Sequence, residues 1–438
     1  MRLLAENRGV MNMQFTSIKN DRIHEEYFTA THKSGLKIFI YPKKSFKSTY
    51  AIFGTKFGSI NASFAFDKSG PIITVPDGTA HFLEHKMFES EDGDAFDFYA
   101  KTGASANAYT SFDKTCYLFS CTENFEEALK ILVKFVETPY FTKKTVDKEQ
   151  GIIGQEIKMY EDSAEWKVLI NLLKAMYKNH PINIDIAGSV ESIANITAEK
   201  LYECYKAFYN PANMALCIVG NVDLKKTAEL LESILTNTSS HAPMRIFPDE
   251  PYEVRQNLIE ERFPISCPMF QLGFKENAKD SISAKELVAT DIILEVLASK
   301  ASGLYKSLLD AKLINIASFG VEYFYGEKYA AVIFSGESND PYKTQDVIKQ
   351  AIRTLKEHKI SSEVFERARK SVYAKNLSLL NSSDNIANSI IGLEFSGKEL
   401  FDVIECIATI TLEEMEKRLE DQLDVNNCSL SVVLPLKE

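Results

Sequence analysis

Two histidines and one glutamate are spaced so that they share one face of a predicted helix. The apolar pattern predicts this helix over 79–88, and it contains the motif H-x-x-E-H at His81, Glu84 and His85. Because residues four apart lie about one turn apart on a helix, both imidazoles can reach a single ion. Zinc takes imidazole and carboxylate ligands. Glu84 shares the face without being needed as a ligand, which is where a general base for hydrolysis belongs.

The motif by itself has a simpler explanation, a surface helix with two solvated histidines. With seven histidines in 438 residues, H-x-x-E-H is expected by chance in roughly one such sequence in a hundred. The neighbouring residues Phe82, Leu83, Met87 and Phe88 are apolar, so we expect the helix to be largely buried. Buried histidines beside a carboxylate need a partner, and this favours the metal site.

A third ligand must come from another element, because a catalytic zinc usually has three protein ligands and one open position. The best candidates lie on a predicted helix within 148–166, where Glu149 and Glu156 are seven residues apart and therefore two turns apart on one face. Ile152 and Ile153 accompany that face. We therefore expect the two carboxylates to point inward.

The elements that must position these residues belong to a chain with two copies of one domain. The segments ITAEKL (196–201) and ITLEEM (410–415) are offset by 214 residues, as are the strands that begin MALCIV at 214 and CSLSVV at 428. A constant offset indicates duplication, and chance similarity of short segments is the alternative. Hairpins and long helices make each copy α+β, a mostly antiparallel sheet with helices packed on one face.

The domain boundaries follow from composition. We expect an N-terminal extension at 1–14, a zinc-bearing catalytic domain at 15–236, a linker at 237–258 and a homologous non-catalytic domain at 259–438. The linker is rich in Ser, Thr, Asn and Pro and has no periodicity. A length of 438 residues with 45% hydrophobic residues agrees with two domains of about 200 residues, or with several smaller ones.

Charge and cysteine usage limit the partners and the compartment. The formal net charge of −11 disfavours nucleic acid and anionic membranes. No apolar run approaches the roughly 18 residues of a membrane span, and no signal peptide is evident. Seven scattered cysteines without a C-x-x-C pair indicate small core residues, so we expect a cytoplasmic protein. Motifs for nucleotide binding or a serine nucleophile are absent from the sequence, and Zn²⁺ is the one cofactor that we expect.

The segment HFLEH (81–85), followed some 70 residues later by a helix with Glu-x6-Glu, resembles the pitrilysin/insulinase family, which includes the mitochondrial processing peptidases. The segment 180–222 matches the family pattern as well, and the resemblance extends over nearly the whole chain. It implies that Glu156 is the third zinc ligand and that Glu149 supports the site from behind the ligands. It also implies that two similar α+β domains form half of a clam-shell chamber.

The segment GASANAYT (103–110) resembles the edge strand of the same family. The resemblance implies that Ala106, Asn107 and Ala108 hold an extended substrate, and an edge strand can do so because its free N–H and C=O groups pair with a peptide. An ordinary hairpin strand is the alternative. The expected function is that of a zinc-dependent endopeptidase that hydrolyses extended or unfolded peptides.

One departure from the family concerns its second half. Many members carry an Arg…Tyr pair there, but Asp310 stands where the arginine is expected and no tyrosine follows at the usual spacing. The resemblance then implies the zinc-bearing subunit of a short bacterial processing-protease type. Such a subunit acts as a homodimer or as a heterodimer with a zinc-less homologue that supplies Arg and Tyr. The alternatives are a non-catalytic peptide-binding scaffold and a small-molecule zinc lyase or hydrolase.

Overall fold

The computed structural model describes residues 13–237, 241–277 and 279–437. The predicted extension at 1–14 lies mostly outside these residues, as does part of the predicted linker. The strands of the first half are β1 (Thr16–Asn20), β2 (Glu25–Thr31), β3 (Lys37–Pro42), β4 (Thr49–Thr55), β5 (Ser63–Ala65), β6 (Ile73–Thr74), β7 (Glu89–Ser90), β8 (Gly93–Asp94), β9 (Ser105–Thr110), β10 (Thr115–Cys121) and β11 (Met214–Gly220). Its helices are α1 (Thr79–Met87), α2 (Ala95–Thr102), α3 (Phe125–Glu137), α4 (Lys143–Glu161), α5 (Ala164–Met176), α6 (Val190–Ile193), α7 (Ala198–Phe208) and α8 (Leu224–Ile234).

A short strand, β12 (Met244–Arg245), lies in the segment that connects the halves. The second half contains the strands β13 (Leu258–Phe263), β14 (Met269–Lys275), β15 (Gly320–Gly326), β16 (Tyr329–Glu337) and β17 (Cys428–Pro435). Its helices are α9 (Ala284–Ala298), α10 (Gly303–Asp310), α11 (Pro341–Glu357), α12 (Ser362–Leu379), α13 (Ser383–Phe395), α14 (Leu400–Thr409) and α15 (Leu412–Asp421).

The five strands of the second main sheet repeat the order and the directions of five strands of the first, β3-β11-β4-β10-β9. Within the described residues, the first half forms a seven-stranded sheet in the order β1-β2-β3-β11-β4-β10-β9, and the second half a five-stranded sheet in the order β13-β17-β14-β16-β15. In the first, β11 runs parallel to β3 and antiparallel to β4. In the second, β17 runs parallel to β13 and antiparallel to β14. The predicted duplication and the α+β class are therefore confirmed.

The equivalence of the halves extends to single side chains. Asn213 precedes β11, and its Nδ2 donates to the carbonyl of Lys56 at 3.3 Å. Asn427 precedes β17 at the same offset, and its Nδ2 donates to the carbonyl of Lys275 at 3.2 Å. Each amide thus joins the start of the central strand to the end of its antiparallel neighbour.

Each half also contributes helices that pack on the sheet of the other. Helix α5 packs on β14 and β17, and α13 packs on β4 and β11. All seven residues of β4 and of β11 are buried, because these strands have apolar side chains on both faces. Each sheet therefore has its own helices on one face, as predicted, and a helix of the other half on the second face.

The connecting segment joins the halves through one buried carboxylate. Glu250 accepts hydrogen bonds from the main-chain N–H groups of Asn179 and His180 at 2.7 and 2.8 Å. It also pairs with Nζ of Lys275 at 2.6 Å, and both side chains are 2% exposed. Burying an ion pair is favourable only when the remaining donors and acceptors are satisfied. The two N–H groups meet that condition for Glu250, and the carbonyl of Met176, which accepts from Nζ of Lys275 at 3.0 Å, contributes to it for the ammonium.

Two further predictions can be compared with the structure. In the part of the chain that is described, no helix is long and apolar enough to cross a membrane. The seven cysteines, all of which lie in the described ranges, are free thiols, and five of them are buried. They behave as the small core residues that the sequence indicated.

Candidate metal centre and active site

Helix α1 carries the H-x-x-E-H motif into the core of the first half. The side chains of Phe82, Leu83 and Met87 are buried there, and this confirms the prediction of a largely buried helix. His81 and Glu84 are 8% and 9% exposed. A helix that is apolar on most of its surface thus brings its polar residues to the boundary of the core.

Two glycines hold the beginning of α1 against the loop before α6. Gly78 precedes the helix with φ of +88°, and a Cβ on it would lie 2.3 Å from the carbonyl oxygen of Ala187. Gly188 faces it with φ of +74°, and a Cβ there would lie 2.5 Å from the carbonyl oxygen of Asp77. Only glycine allows this close approach of two backbones, which fixes where the helix begins.

Helix α4 presents Glu149 and Glu156 to α1. Thr142 caps it by accepting from the N–H of Thr145, and its buried stripe includes Glu149 and Ile153. The prediction that Ile152 accompanies this inward face was wrong, because Ile152 is 45% exposed. One residue advances a helix by about 100°, and this turns Ile152 away from the stripe that Ile153 occupies.

The potential ligand atoms of His81, His85 and Glu156 all lie within 4.8 Å of one another. The distance from Nε2 of His81 to Oε1 of Glu156 is 3.6 Å, and that from Nε2 of His85 to Oε2 of Glu156 is 3.4 Å. The two imidazole rings are 4.7 Å apart at an angle of 66°. The helices α1 and α4 therefore bring two nitrogens and a carboxylate to one point.

Glu149 contacts the other nitrogen of one of these imidazoles. Its Oε1 lies 3.1 Å from Nδ1 of His85. A carboxylate in this position keeps the proton on Nδ1 and directs Nε2 towards the centre of the cluster. The structure thus places Glu149 behind a candidate ligand, and Glu156 among the candidate ligands.

The electrostatics of the cluster favour a cation. Burial disfavours the charged form of His85, but the adjacent carboxylates of Glu149 and Glu156 raise its pKa to about 10. Hydrogen bonds from His81 and His85 hold the pKa of Glu156 well below its usual range. Burial opposes ionisation of Glu149, yet its contact with His85 lowers its pKa. The carboxylates of Glu84, Glu149 and Glu156 thus lie near two imidazoles, and a divalent ion would balance their negative charge.

The donor set fits zinc. Two imidazole nitrogens and one carboxylate oxygen are a ligand combination that catalytic zinc sites use. The carboxylate of Glu149 behind His85 is the support that metal-bound imidazoles commonly have. Glu84 lies between the two histidines on the same helix, and its negative charge also contributes to the raised pKa of His85.

Thr110, the last residue of β9, has no individual role in the sequence motifs. Its Oγ1 donates to Oε2 of Glu84 at 2.6 Å.

Tyr160, one turn after Glu156, is a second residue that the motifs do not indicate. Burial and the neighbouring Glu156 carboxylate raise the pKa of this tyrosine, whose ring lies 5.4 Å from that of Trp166. Only its spacing of four residues from Glu156 could have indicated Tyr160.

The predicted substrate strand lies at the edge of the first sheet. Of the described strands, only β10 pairs with β9. Ala106 and Ala108 are partly buried against the helices, and Asn107 is exposed. The N–H of Ala108 donates to Oδ1 of Asn107 at 2.9 Å, so a polar side chain already satisfies one main-chain donor of this strand.

The second half has no arginine at the position that the family pattern indicates. Asp310 ends α10 and is exposed. An arginine and a tyrosine do meet elsewhere in this half, where Nη2 of Arg418 lies 2.9 Å from the hydroxyl of Tyr323. Arg418 also pairs with Glu276 at 2.7 Å, and the side chains of both are about 95% buried. This pair stabilises the interior of the second half.

The fold and these residues define a duplicated α+β protein whose first half carries an H-x-x-E-H helix. Residues 75–190 match the family model described as Insulinase (Peptidase family M16), and residues 195–372 match the one described as Peptidase M16 inactive domain. The uncharacterized zinc protease YmfH of Bacillus subtilis (strain 168) is 38% identical over 433 residues, which cover 95% of this chain and 99% of YmfH.

Two solved structures are similar over nearly the whole chain. A protein of Alicyclobacillus acidocaldarius described as an M16-like peptidase has a TM-score of 0.88 and 32% identity, covering 97% of this chain and 99% of its own. A protease from Helicobacter pylori has a TM-score of 0.78 at 19% identity, with 93% and 99% covered, and this likeness concerns the fold alone. The chain belongs to the M16 family of insulinase-type zinc proteases, as the sequence motifs predicted.

Proposed function

We propose that this chain is a zinc-dependent endopeptidase that hydrolyses extended or unfolded peptides. The observation that carries the proposal is the convergence of donor atoms from His81, His85 and Glu156 within 4.8 Å. These three residues would hold Zn²⁺, and Glu149 would orient His85 through its contact of 3.1 Å. Relatives named zinc proteases support the choice of metal.

Glu84 is the general base in this proposal. When bound, zinc supplies Lewis-acid activation of the scissile carbonyl and of the attacking water. The Glu84 carboxylate accepts a proton as the water oxygen bonds to the carbonyl carbon, and it delivers this proton to the amide nitrogen as the C–N bond breaks. The products are a carboxylate and an amine. The low exposure of Glu84 keeps its carboxylate away from bulk water during the transfer.

Strand β9 is the proposed holder of the peptide. A peptide that pairs with the free edge at Ala106, Asn107 and Ala108 becomes an additional strand of the first sheet. Pairing through the main chain selects for extended, unfolded segments rather than for particular side chains. The N–H of Ala108 must then exchange its bond with the Asn107 side chain for one with the peptide.

We further propose that the chain is the zinc-bearing subunit of a dimer. The support is that Asp310 occupies the position of the family arginine, while Arg418 and Tyr323 are held inside the second half. In a heterodimer, a zinc-less homologue would supply the missing Arg and Tyr; in a homodimer the second copy also has Asp310 at that position. The unpaired cysteines support our proposal of a reducing location, the cytoplasm.

The test is hydrolysis of a mixed peptide library by the purified chain alone, with and without a chelator, read by mass spectrometry. Internal cleavage that the chelator abolishes supports a self-sufficient zinc endopeptidase and argues against the need for a partner. Bound zinc at one per chain without cleavage indicates an incomplete site or a scaffold. Cleavage after addition of a candidate partner then indicates the incomplete site, and continued absence of cleavage indicates the scaffold. Absence of both zinc and cleavage overturns the proposal.

Glu84→Gln is the matched control in this assay. The amide keeps the size of the side chain but cannot take up the proton, so we expect zinc to remain bound while turnover falls by about 10²–10⁴. Turnover at the unmodified rate in this variant removes Glu84 from the role of general base.

A further inference from the structure

Thr110 forms the one side-chain hydrogen bond to Glu84 among the described residues. Its Oγ1 lies 2.6 Å from Oε2 of Glu84, the short distance of a hydroxyl that donates to a carboxylate. We propose that Thr110 is a positioning residue that orients the Glu84 carboxylate and leaves Oε1 as the oxygen that exchanges protons with water and with the leaving nitrogen. This inference rests on the proposed peptidase function.

The hydroxyl protons in this region can be assigned by elimination. A carboxylate oxygen accepts hydrogen bonds, and the single hydroxyl proton of Thr110 lies towards Oε2 of Glu84. Thr115 is the cross-strand partner of Thr110, and its hydroxyl lies 2.9 Å from the carbonyl of Phe57 and 3.2 Å from Oγ1 of Thr110. Thr115 therefore donates to one of these two oxygens. In both cases Thr110 retains Glu84 as its acceptor.

The side-chain environment makes this bond specific to Thr110. The adjacent Ser111 and Lys114 bond to each other across the turn, with Oγ of Ser111 3.3 Å from the N–H of Lys114. The Nζ of Lys114 pairs with Asp113 at 3.0 Å. The polar groups of the turn are thus occupied, and none of them replaces the Thr110 hydroxyl at Glu84.

One strand therefore performs two tasks. Ala106, Asn107 and Ala108 offer the edge to a peptide, and Thr110, two residues beyond Ala108, holds the base. Two residues of a strand span about 7 Å, and a strand paired in a sheet is stiff over that length. The register of the peptide and the position of Glu84 are consequently set by the same element. A displacement of the base by about 1 Å can cost about 10²-fold in rate.

The test compares isosteric and conservative variants of Thr110. Thr110→Val removes the hydroxyl and keeps the shape, and we expect kcat to fall about 10- to 100-fold with KM within about 2-fold. Thr110→Ser retains the donor and is expected within about 3-fold of the unmodified kcat. Thr29→Val is the matched control, because it removes a hydroxyl from β2, which lies four strands away from β10 in the same sheet, and we expect kcat to stay within about 3-fold.

Binding gives a readout that does not depend on turnover. In the Glu84→Gln background, the dissociation constant of an uncleaved peptide is measured by fluorescence anisotropy with and without Thr110→Val. We expect the two constants to agree within about 2-fold. Zinc content and the denaturant midpoint of each variant are measured in parallel, so that a folding defect is recognised. If Thr110→Val is misfolded, the kcat of Thr110→Ser is the measurement that tests the positioning role.

Each outcome has a defined meaning. Loss of kcat in Thr110→Val, recovery in Thr110→Ser and unchanged peptide binding support the positioning role. Unchanged kcat in Thr110→Val overturns it, as does a rise in the peptide dissociation constant that equals the loss of kcat/KM. Failure of the proposed function is distinguishable, because in that case the unmodified protein shows no cleavage that a chelator abolishes, or Glu84→Gln retains full turnover.

Discussion

Replacement of Glu149 tests whether the two helices form a metal site. Glu149 does not belong to the three converging candidate ligands, but its Oε1 lies 3.1 Å from Nδ1 of His85 and its side chain is 12% exposed. Loss of such a partner behind a metal-bound imidazole typically costs 10- to 100-fold in metal affinity, which corresponds to about 1.4–2.7 kcal/mol. Its removal should therefore weaken zinc binding although all three proposed ligands are intact.

Two substitutions of Glu149 are expected to weaken zinc binding by different amounts. Glu149→Gln retains an oxygen that can accept from Nδ1–H and removes only the charge, so we expect the zinc dissociation constant to rise about 10-fold. Glu149→Ala removes the acceptor as well, and we expect a rise of about 100-fold. The control is Asp147→Asn, which removes the same charge from the same helix at an exposed site paired with Lys143.

The assay is competition for zinc between the protein and a chromophoric chelator at constant pH and ionic strength. We expect Asp147→Asn to bind zinc like the unmodified protein. If both Glu149 variants also bind zinc within 2-fold of that value, the contact with His85 does not support a metal ligand, and the role proposed for Glu149 is refuted. Metal-free unfolding curves show whether the variants are folded.

Three further predictions concern stability. Gly78→Ala should lower the free energy of unfolding by at least about 2 kcal/mol, because the positive φ alone costs roughly 1–2 kcal/mol and the new Cβ meets the carbonyl of Ala187; an unchanged denaturant midpoint contradicts this. Gly154→Ala on α4 should raise the free energy of unfolding by about 0.5–1 kcal/mol, since a Cβ there meets no atom within 4 Å. A lower denaturant midpoint in this variant would contradict the prediction. Burial raises the pKa of Asp291 to about 7, so the folded state resists its ionisation and loses stability as the pH rises from about 4 to about 7. Asp291→Asn should stabilise the protein at pH 8 by up to about 4 kcal/mol and have little effect at pH 4. The measurement is chemical denaturation at both pH values, and an equal gain in the free energy of unfolding at the two would refute the reasoning.

The periodicity of helices explains which parts of the site could be predicted. His81, Glu84 and His85 share a face because of their spacing within one helix, and Glu149 and Glu156 do so for the same reason. These are local properties that need no knowledge of the fold. That α4 meets α1 could not be obtained from spacing, and the assignment of Glu156 came from resemblance to a family. Ile152 shows the limit, because its burial depended on how far the contact stripe extends around α4.

The repeat offset of 214 residues predicted the duplicated fold, since strand order and connections are inherited with the sequence segments. The exchange of α5 and α13 between the sheets could not be predicted in this way. An apolar helix face predicts that the helix will be buried, but it does not predict which sheet the helix will pack on. Both faces of β4 and β11 are apolar, so other elements are expected to pack on both faces, but the sequence does not indicate which elements.

Residue type and helical spacing predict the chemistry that this chain can support, because they set which side chains can share a ligand. The arrangement of these side chains in space depends on the tertiary structure. The bond between Thr110 and Glu84 joins residues 26 apart in the chain, and the cluster at Glu156 joins α1 to a helix some 70 residues later. Such contacts depend on how elements pack across the core, and packing is a property of the whole fold rather than of any local segment.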